Sequence, residues 1–69
     1  MRVYVYGDVV IVVSRLENRI VIKTARSAAV LQLESIENVL ERAREHLYDK
    51  PEALHVLTKM LEEELASST

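Results

Sequence analysis

The chain has no cysteine, so neither a disulfide nor a thiolate-held metal can brace it. Its one glycine, Gly7, leaves no glycine-rich phosphate-binding loop. Tryptophan and phenylalanine are absent, and Tyr4, Tyr6 and Tyr48 are the only aromatic residues. Amides are equally scarce, with Asn18, Gln32 and Asn38 alone. No apolar run approaches the roughly 20 residues that span a bilayer. The longest, Val9-Val-Ile-Val-Val13, has the length of a strand. After Met1-Arg2-Val3 there is no signal-type apolar stretch with a small-residue cleavage site. These absences predict a cytoplasmic protein without a membrane partner. Scarce amides, no cysteine and plentiful Arg, Glu and Val also match the compositional bias of thermophile proteins.

Sixty-nine residues make one small domain, near the lower limit for unaided folding. A core of this size supplies about 3–5 kcal/mol, and small domains add a staple or a second subunit. The chain carries a formal charge of −2, distributed unevenly. Residues 1–33 hold Arg2, Arg15, Arg19, Lys23 and Arg26 against Asp8 and Glu17, a balance of +3. Residues 34–69 hold Arg42, Arg44, Lys50 and Lys59 against nine acids, a balance of −5.

The hydrophobic pattern changes period midway. Arg2-Val-Tyr-Val-Tyr6 and Arg19-Ile-Val-Ile-Lys-Thr24 alternate, and Val9 to Val13 is wholly β-branched, so all three predict strands. Gly7-Asp8 is hairpin-turn chemistry, because glycine takes positive φ freely. Ser14-Arg-Leu-Glu-Asn18 forms the next connection. Ala25 to Ser35 reads in two ways. As a strand it puts Ala29, Leu31 and Leu33 on one face. As a helix it starts a 4-3 spacing through Ala29, Leu33, Ile36, Leu40, Ala43 and Leu47. The strand reading, with Ser35 capping the helix that follows, is preferred.

Ile36, Val39, Leu40, Ala43 and Leu47 make the apolar stripe of a first helix. Tyr48-Asp-Lys-Pro51 breaks it, and Asp49 with Glu52 resembles a capping box for a second helix, with Pro51 in the first turn. Leu54, Val56, Leu57, Met60, Leu61 and Leu65 form its stripe. The short break predicts an antiparallel helix pair. The expected fold is therefore α+β: a short antiparallel β-meander of three or four strands, then a helical hairpin packed on one sheet face. Residues 1–66 form the domain and residues 67–69 a frayed tail.

Two faces of strand residues and one layer of helices leave a surplus. Val3, Val5, Ile11, Val13, Ile20, Ile22, Leu31 and Leu33 are assigned to the helix side. Tyr4, Tyr6, Val10, Val12, Val21 and Val30 are assigned to the outer side, with Arg2, Arg19, Lys23 and Gln32 among them. The outer side then exposes on the order of several hundred Å² of apolar surface, more than monomers tolerate. At about 25 cal/mol per Å², covering it is worth several kcal/mol before association costs.

Motifs for chemistry are sparse. Glu52-Ala-Leu-His55 has the Glu-x-x-His spacing of carboxylate-bridged metal bundles, but those need two copies and further glutamates from facing helices, and one copy beside an apolar stripe makes a surface pair the simpler reading. His46 with Asp49 is an ordinary helix-end arrangement. No serine or threonine has a histidine at a telling spacing. Glu62-Glu-Glu64 reads as a solvated acidic helix end. Arg2, Tyr4, Tyr6, Arg19 and Lys23 on one sheet face would offer phosphate contacts and stacking faces, as sheet-based single-strand binders do. The functional expectation is a non-enzymatic interaction protein, with no cofactor or metal, that pairs with itself as a homo-oligomer, simplest as a dimer. Its anchors are Tyr4, Tyr6, Val10, Val12, Val21 and Val30. The alternative is a nucleic-acid-binding regulator contacting its ligand through Arg2, Arg19 and Lys23.

Overall fold

Each change of period in the sequence becomes a change of element in the computed structural model, which describes residues 1–66. The strands are β1 (Arg2–Tyr6), β2 (Val9–Ser14), β3 (Arg19–Lys23) and β4 (Ala28–Gln32). The helices are α1 (Ile36–Leu47) and α2 (Pro51–Ala66). The sheet is an antiparallel meander in the order β1-β2-β3-β4. The α+β fold expected from the sequence is thus the fold observed, with four strands. The expected tail, residues 67–69, lies outside the described residues.

Local chemistry sets each corner. Gly7 stands at φ 60° at the first of two turn residues, the position where a type II′ hairpin needs positive φ. The longer β2–β3 connection is closed by the Asn18 amide on the Arg15 carbonyl (3.2 Å) and by the Glu17 amide on Ser14 Oγ (3.2 Å). Asn18 takes φ 58°, a left-handed conformation that its short polar side chain tolerates. Thr24 Oγ1 organises the β3–β4 turn by accepting from the Arg26 and Ser27 amides at 3.2 and 3.1 Å.

Ala28–Gln32 pairs as a strand, although its residues also fit a helical spacing. Three ladder rungs against β3 put Ile20, Val21 and Ile22 beside Leu31, Val30 and Ala29. Ser35 then caps α1, accepting from the Asn38 amide at 3.3 Å. The start of α2 differs from the expected cap. The Lys50 carbonyl accepts the first helical bond, from the Leu54 amide at 3.2 Å, and Pro51 is the first helical residue. The cap position therefore falls on Lys50 and not on Asp49, whose carboxylate meets Lys50 Nζ at 3.8 Å. Proline suits this first position because no bond needs its missing N–H.

Both helices pack on one side of the sheet, α2 against β1 and β2 and α1 against β4. The core between the layers is Val9, Ile11, Val13, Ile20, Ile22 and Leu33 from the sheet side, with Val39, Ala43, Leu47, Ala53, Leu57, Met60 and Leu61 from the helices. Leu31, Ile36, Leu40, Leu54, Val56 and Leu65 pack half-buried at its margin.

The acidic end of α2 is not simply solvated. Glu64 is buried, and it accepts from Arg2 Nε at 2.8 Å while the N-terminal ammonium lies 4.0 Å away. Arg2 also meets Glu63 at 3.2 Å, and Arg15 donates to the Glu64 carbonyl at 3.3 Å. Cations placed at the negative end of the helix dipole offset its excess of acids. The basic sheet and the acidic helices thus meet in part within one chain.

Candidate functional site

Residues paired directly across neighbouring strands project to the same side of a sheet. Val3 pairs with Val12, Val12 with Val21, and Val21 with Val30. A single row of valines therefore crosses all four strands on the side away from the helices. Val5 and Val10 pair beside it, followed by Lys23 and Ala28 in the same row. Ser14, Arg19 and Gln32 form the row on the other flank. The outer face is thus six valines and an alanine, with Ser14, Arg19, Lys23 and Gln32 at its two ends.

Val3, Val5 and Val30 on the edge strands are 57%, 64% and 65% exposed. Val10, Val12 and Val21 are half-buried, because neighbours on both sides shield residues of central strands. No element of the described chain lies over them.

This face differs from the expected one at β1. The two-residue Gly7-Asp8 turn pairs Tyr6 with Val9, and hence Tyr4 with Ile11 and Arg2 with Val13. Val9, Ile11 and Val13 are core residues, so Arg2, Tyr4 and Tyr6 lie on the helix side, while Val3 and Val5 lie outside. Tyr4 packs half-buried against the core and stacks on Tyr6, with ring centroids 6.4 Å apart and planes at 23°. Partial burial pushes the Tyr4 phenol above its ordinary value, with Glu52 and then Tyr6 adding to the effect. Val10, Val12, Val21 and Val30 stand where the sequence put them. The turn chemistry contained the missing signal: a two-residue hairpin dictates the register of its strands.

The same register separates the cationic cluster. Arg19 and Lys23 are on the outer face, and Arg19 meets Glu17 at 3.8 Å. Arg2 is on the other side, held by Glu63 and Glu64. Arg2, the tyrosines, Arg19 and Lys23 therefore do not form one stacking and phosphate-contacting surface.

One pairing escaped the sequence spacing. Ser27 Oγ lies 3.2 Å from His46 Nδ1, tying the β3–β4 turn to the end of α1. Their separation of 19 positions hides this contact from any local motif. A cleft of about 430 Å³ beside it is lined by Asp8, Glu45, Asp49, Arg26 and Lys50 among others, so no sign of charge prevails. The neighbouring turn amides of Arg26 and Ser27 are already bound by Thr24 Oγ1, which leaves them unable to stabilise an oxyanion. Glu52 and His55 are exposed on α2. Among the described residues no group of three metal-ligating side chains comes together. No described helix is long and apolar enough to cross a membrane.

No family model matches this chain, no curated protein matches it, and no solved structure matches it.

Proposed function

We propose that this chain is a non-enzymatic interaction module that assembles with copies of itself through the valine face of its sheet. The observation that carries the reading is the row Val3, Val12, Val21 and Val30, flanked by Val5 and Val10, with no described helix over it. Two such faces can interdigitate at the ~10 Å spacing of packed sheets, since every side chain in the row has the same size and shape. A twofold pair presents the same surface from both sides, which a uniform aliphatic row satisfies without further specialisation. Arg19 and Lys23 sit at the ends of the face, where long stems cover apolar surface and leave charged heads in water. The cysteine-free composition suits the reducing cytoplasm.

Sedimentation at micromolar concentration tests this reading. Val12→Glu is expected to lower the sedimenting mass while circular dichroism keeps the helical signal. Val3→Glu acts in the same way, whereas Tyr6→Ser, on the helix side, leaves the mass unchanged. A Val12→Glu variant at the wild-type mass, or a wild-type chain sedimenting at 7.9 kDa, overturns the proposal.

A further inference from the structure

We infer that the free edge of β4 is a second self-association site, pairing antiparallel with β4 of another copy about Val30. The edge pair does not depend on the valine-face reading; the size of the full assembly does.

Backbone polarity points to the site. The Thr24 amide donates to the Ser27 carbonyl at 2.8 Å, and the Leu33 amide donates to the Asn18 carbonyl at 3.1 Å. Hydrogen-bonded pairs alternate along an antiparallel ladder. The bonds therefore fall at Ser27, Ala29, Leu31 and Leu33, and Ala28, Val30 and Gln32 direct their N–H and C=O groups away from β3. In the strand order these groups face no other strand. Edges of this kind are ordinarily blunted by charge, proline or a bulge. Ala28-Ala-Val-Leu-Gln32 has none of the three, and its rungs with β3 run without interruption. A shallow cleft of about 190 Å³, lined by Val30, Leu31, Gln32, Glu34 and Arg42, lies alongside.

The side chains select a second copy as the occupant. With Val30 opposite its own twofold image, Ala28 faces Gln32 and Ala29 faces Leu31, so small residues meet large ones on both sheet faces. This register also uses the outward groups of Ala28, Val30 and Gln32 together, whereas a shift by two residues loses a rung. It continues the valine row from one sheet into the next, because Val30 is the row's last member. The competing edge, β1, places Tyr4 against its own image and is held at Arg2 by Glu63 and Glu64.

Area favours the same conclusion. Four strands at ~4.8 Å and five residues at ~3.3 Å give the valine face a footprint on the order of 300–500 Å². Standard interfaces bury roughly 800 Å² per partner. The face alone falls short of that size, and the open edge enlarges the contact through main-chain bonds.

Gln32→Pro tests the pair. It removes an outward donor while leaving every ladder bond to β3 and every valine in place. Ala28→Pro removes the reciprocal donor and serves as the second variant, and circular dichroism confirms that each is folded. Wild type is expected to sediment above the two-chain mass, Val12→Glu and Gln32→Pro each as a two-chain species, and the double variant as the 7.9 kDa chain. Folded Gln32→Pro and Ala28→Pro variants at the wild-type mass overturn the edge pair. So does a folded Val12→Glu variant that sediments as a single chain. A Val12→Glu variant at the wild-type mass beside a lighter Gln32→Pro variant overturns the face alone.

Discussion

Glu64 sits in a run of three acids, yet it is buried and serves as the anchor of the first strand. Its carboxylate accepts from Arg2 at 2.8 Å, and its main-chain carbonyl, in the last turn of α2, accepts from Arg15 at 3.3 Å. Arg2→Ala removes a charge-assisted bond from a buried acceptor. The expected loss is about 1–2 kcal/mol, reduced from the buried-pair range because Arg2 itself is partly exposed. Urea denaturation at pH 7 reads it as a lowered midpoint. Tyr4 gives a second residue-scale expectation, in pH. Its folded pKa is raised above 10.0, chiefly by partial burial. Below about pH 9 the phenol is neutral both folded and unfolded, so stability there is independent of this group. As pH rises past 10 the unfolded chain ionises first, and stability falls. Tyr4→Phe is expected to flatten that alkaline decline in denaturation curves between about pH 9 and 11.

Among the elements, α1 depends most visibly on one side chain. Ser35 leaves β-like backbone at φ −64°, ψ 150° and satisfies the Asn38 amide, one of the donors left over at the helix start. Ser35→Ala is expected to cost about 1 kcal/mol, measured as a lowered thermal midpoint in circular dichroism. The same residue marks where strand gives way to helix. Ala29 and Leu33 fit the stripe of α1 as well as they fit a strand, and alanine and leucine favour helix intrinsically. What decides between the two is an open edge on β3, whose backbone groups pair with Ala28–Gln32. A long-range pairing of this kind leaves no trace in local spacing. The α2 cap illustrates a smaller displacement: Asp49 has the right chemistry, but Lys50 with Pro51 has the right geometry.

At the scale of the whole molecule, a core of thirteen side chains among the described residues is modest. Stability from such a core is about 3–5 kcal/mol, so association through an outer face raises it measurably. The wild-type melting temperature is expected to climb with protein concentration, Val12→Glu is expected to weaken that dependence, and the Val12→Glu, Gln32→Pro double variant is expected to remove it. Scanning calorimetry across a tenfold or greater range of concentration checks it. The division of charge between a basic sheet and acidic helices has an internal use as well. Arg2 and Arg15 reach the acidic end of α2, so those cations hold the layers together and do not contribute to a free basic surface.

Composition and periodicity alone determined the two halves of this protein, because alternating β-branched residues and 3.6-residue stripes each bury an apolar face in only one kind of backbone. They determined the surplus as well, since one helical layer covers one side of a sheet. Alternation left open which residues of β1 form the outer face; the Gly7-Asp8 turn held that signal, and the pairing it makes in three dimensions decided the face. A single turn sets the register of a hairpin, and a shift by one residue exchanges every side chain between core and surface. The Ser27–His46 contact, the burial of Glu64 and the open edge of β4 were decided there too. Each depends on which distant segments meet once the helices fold back over the sheet.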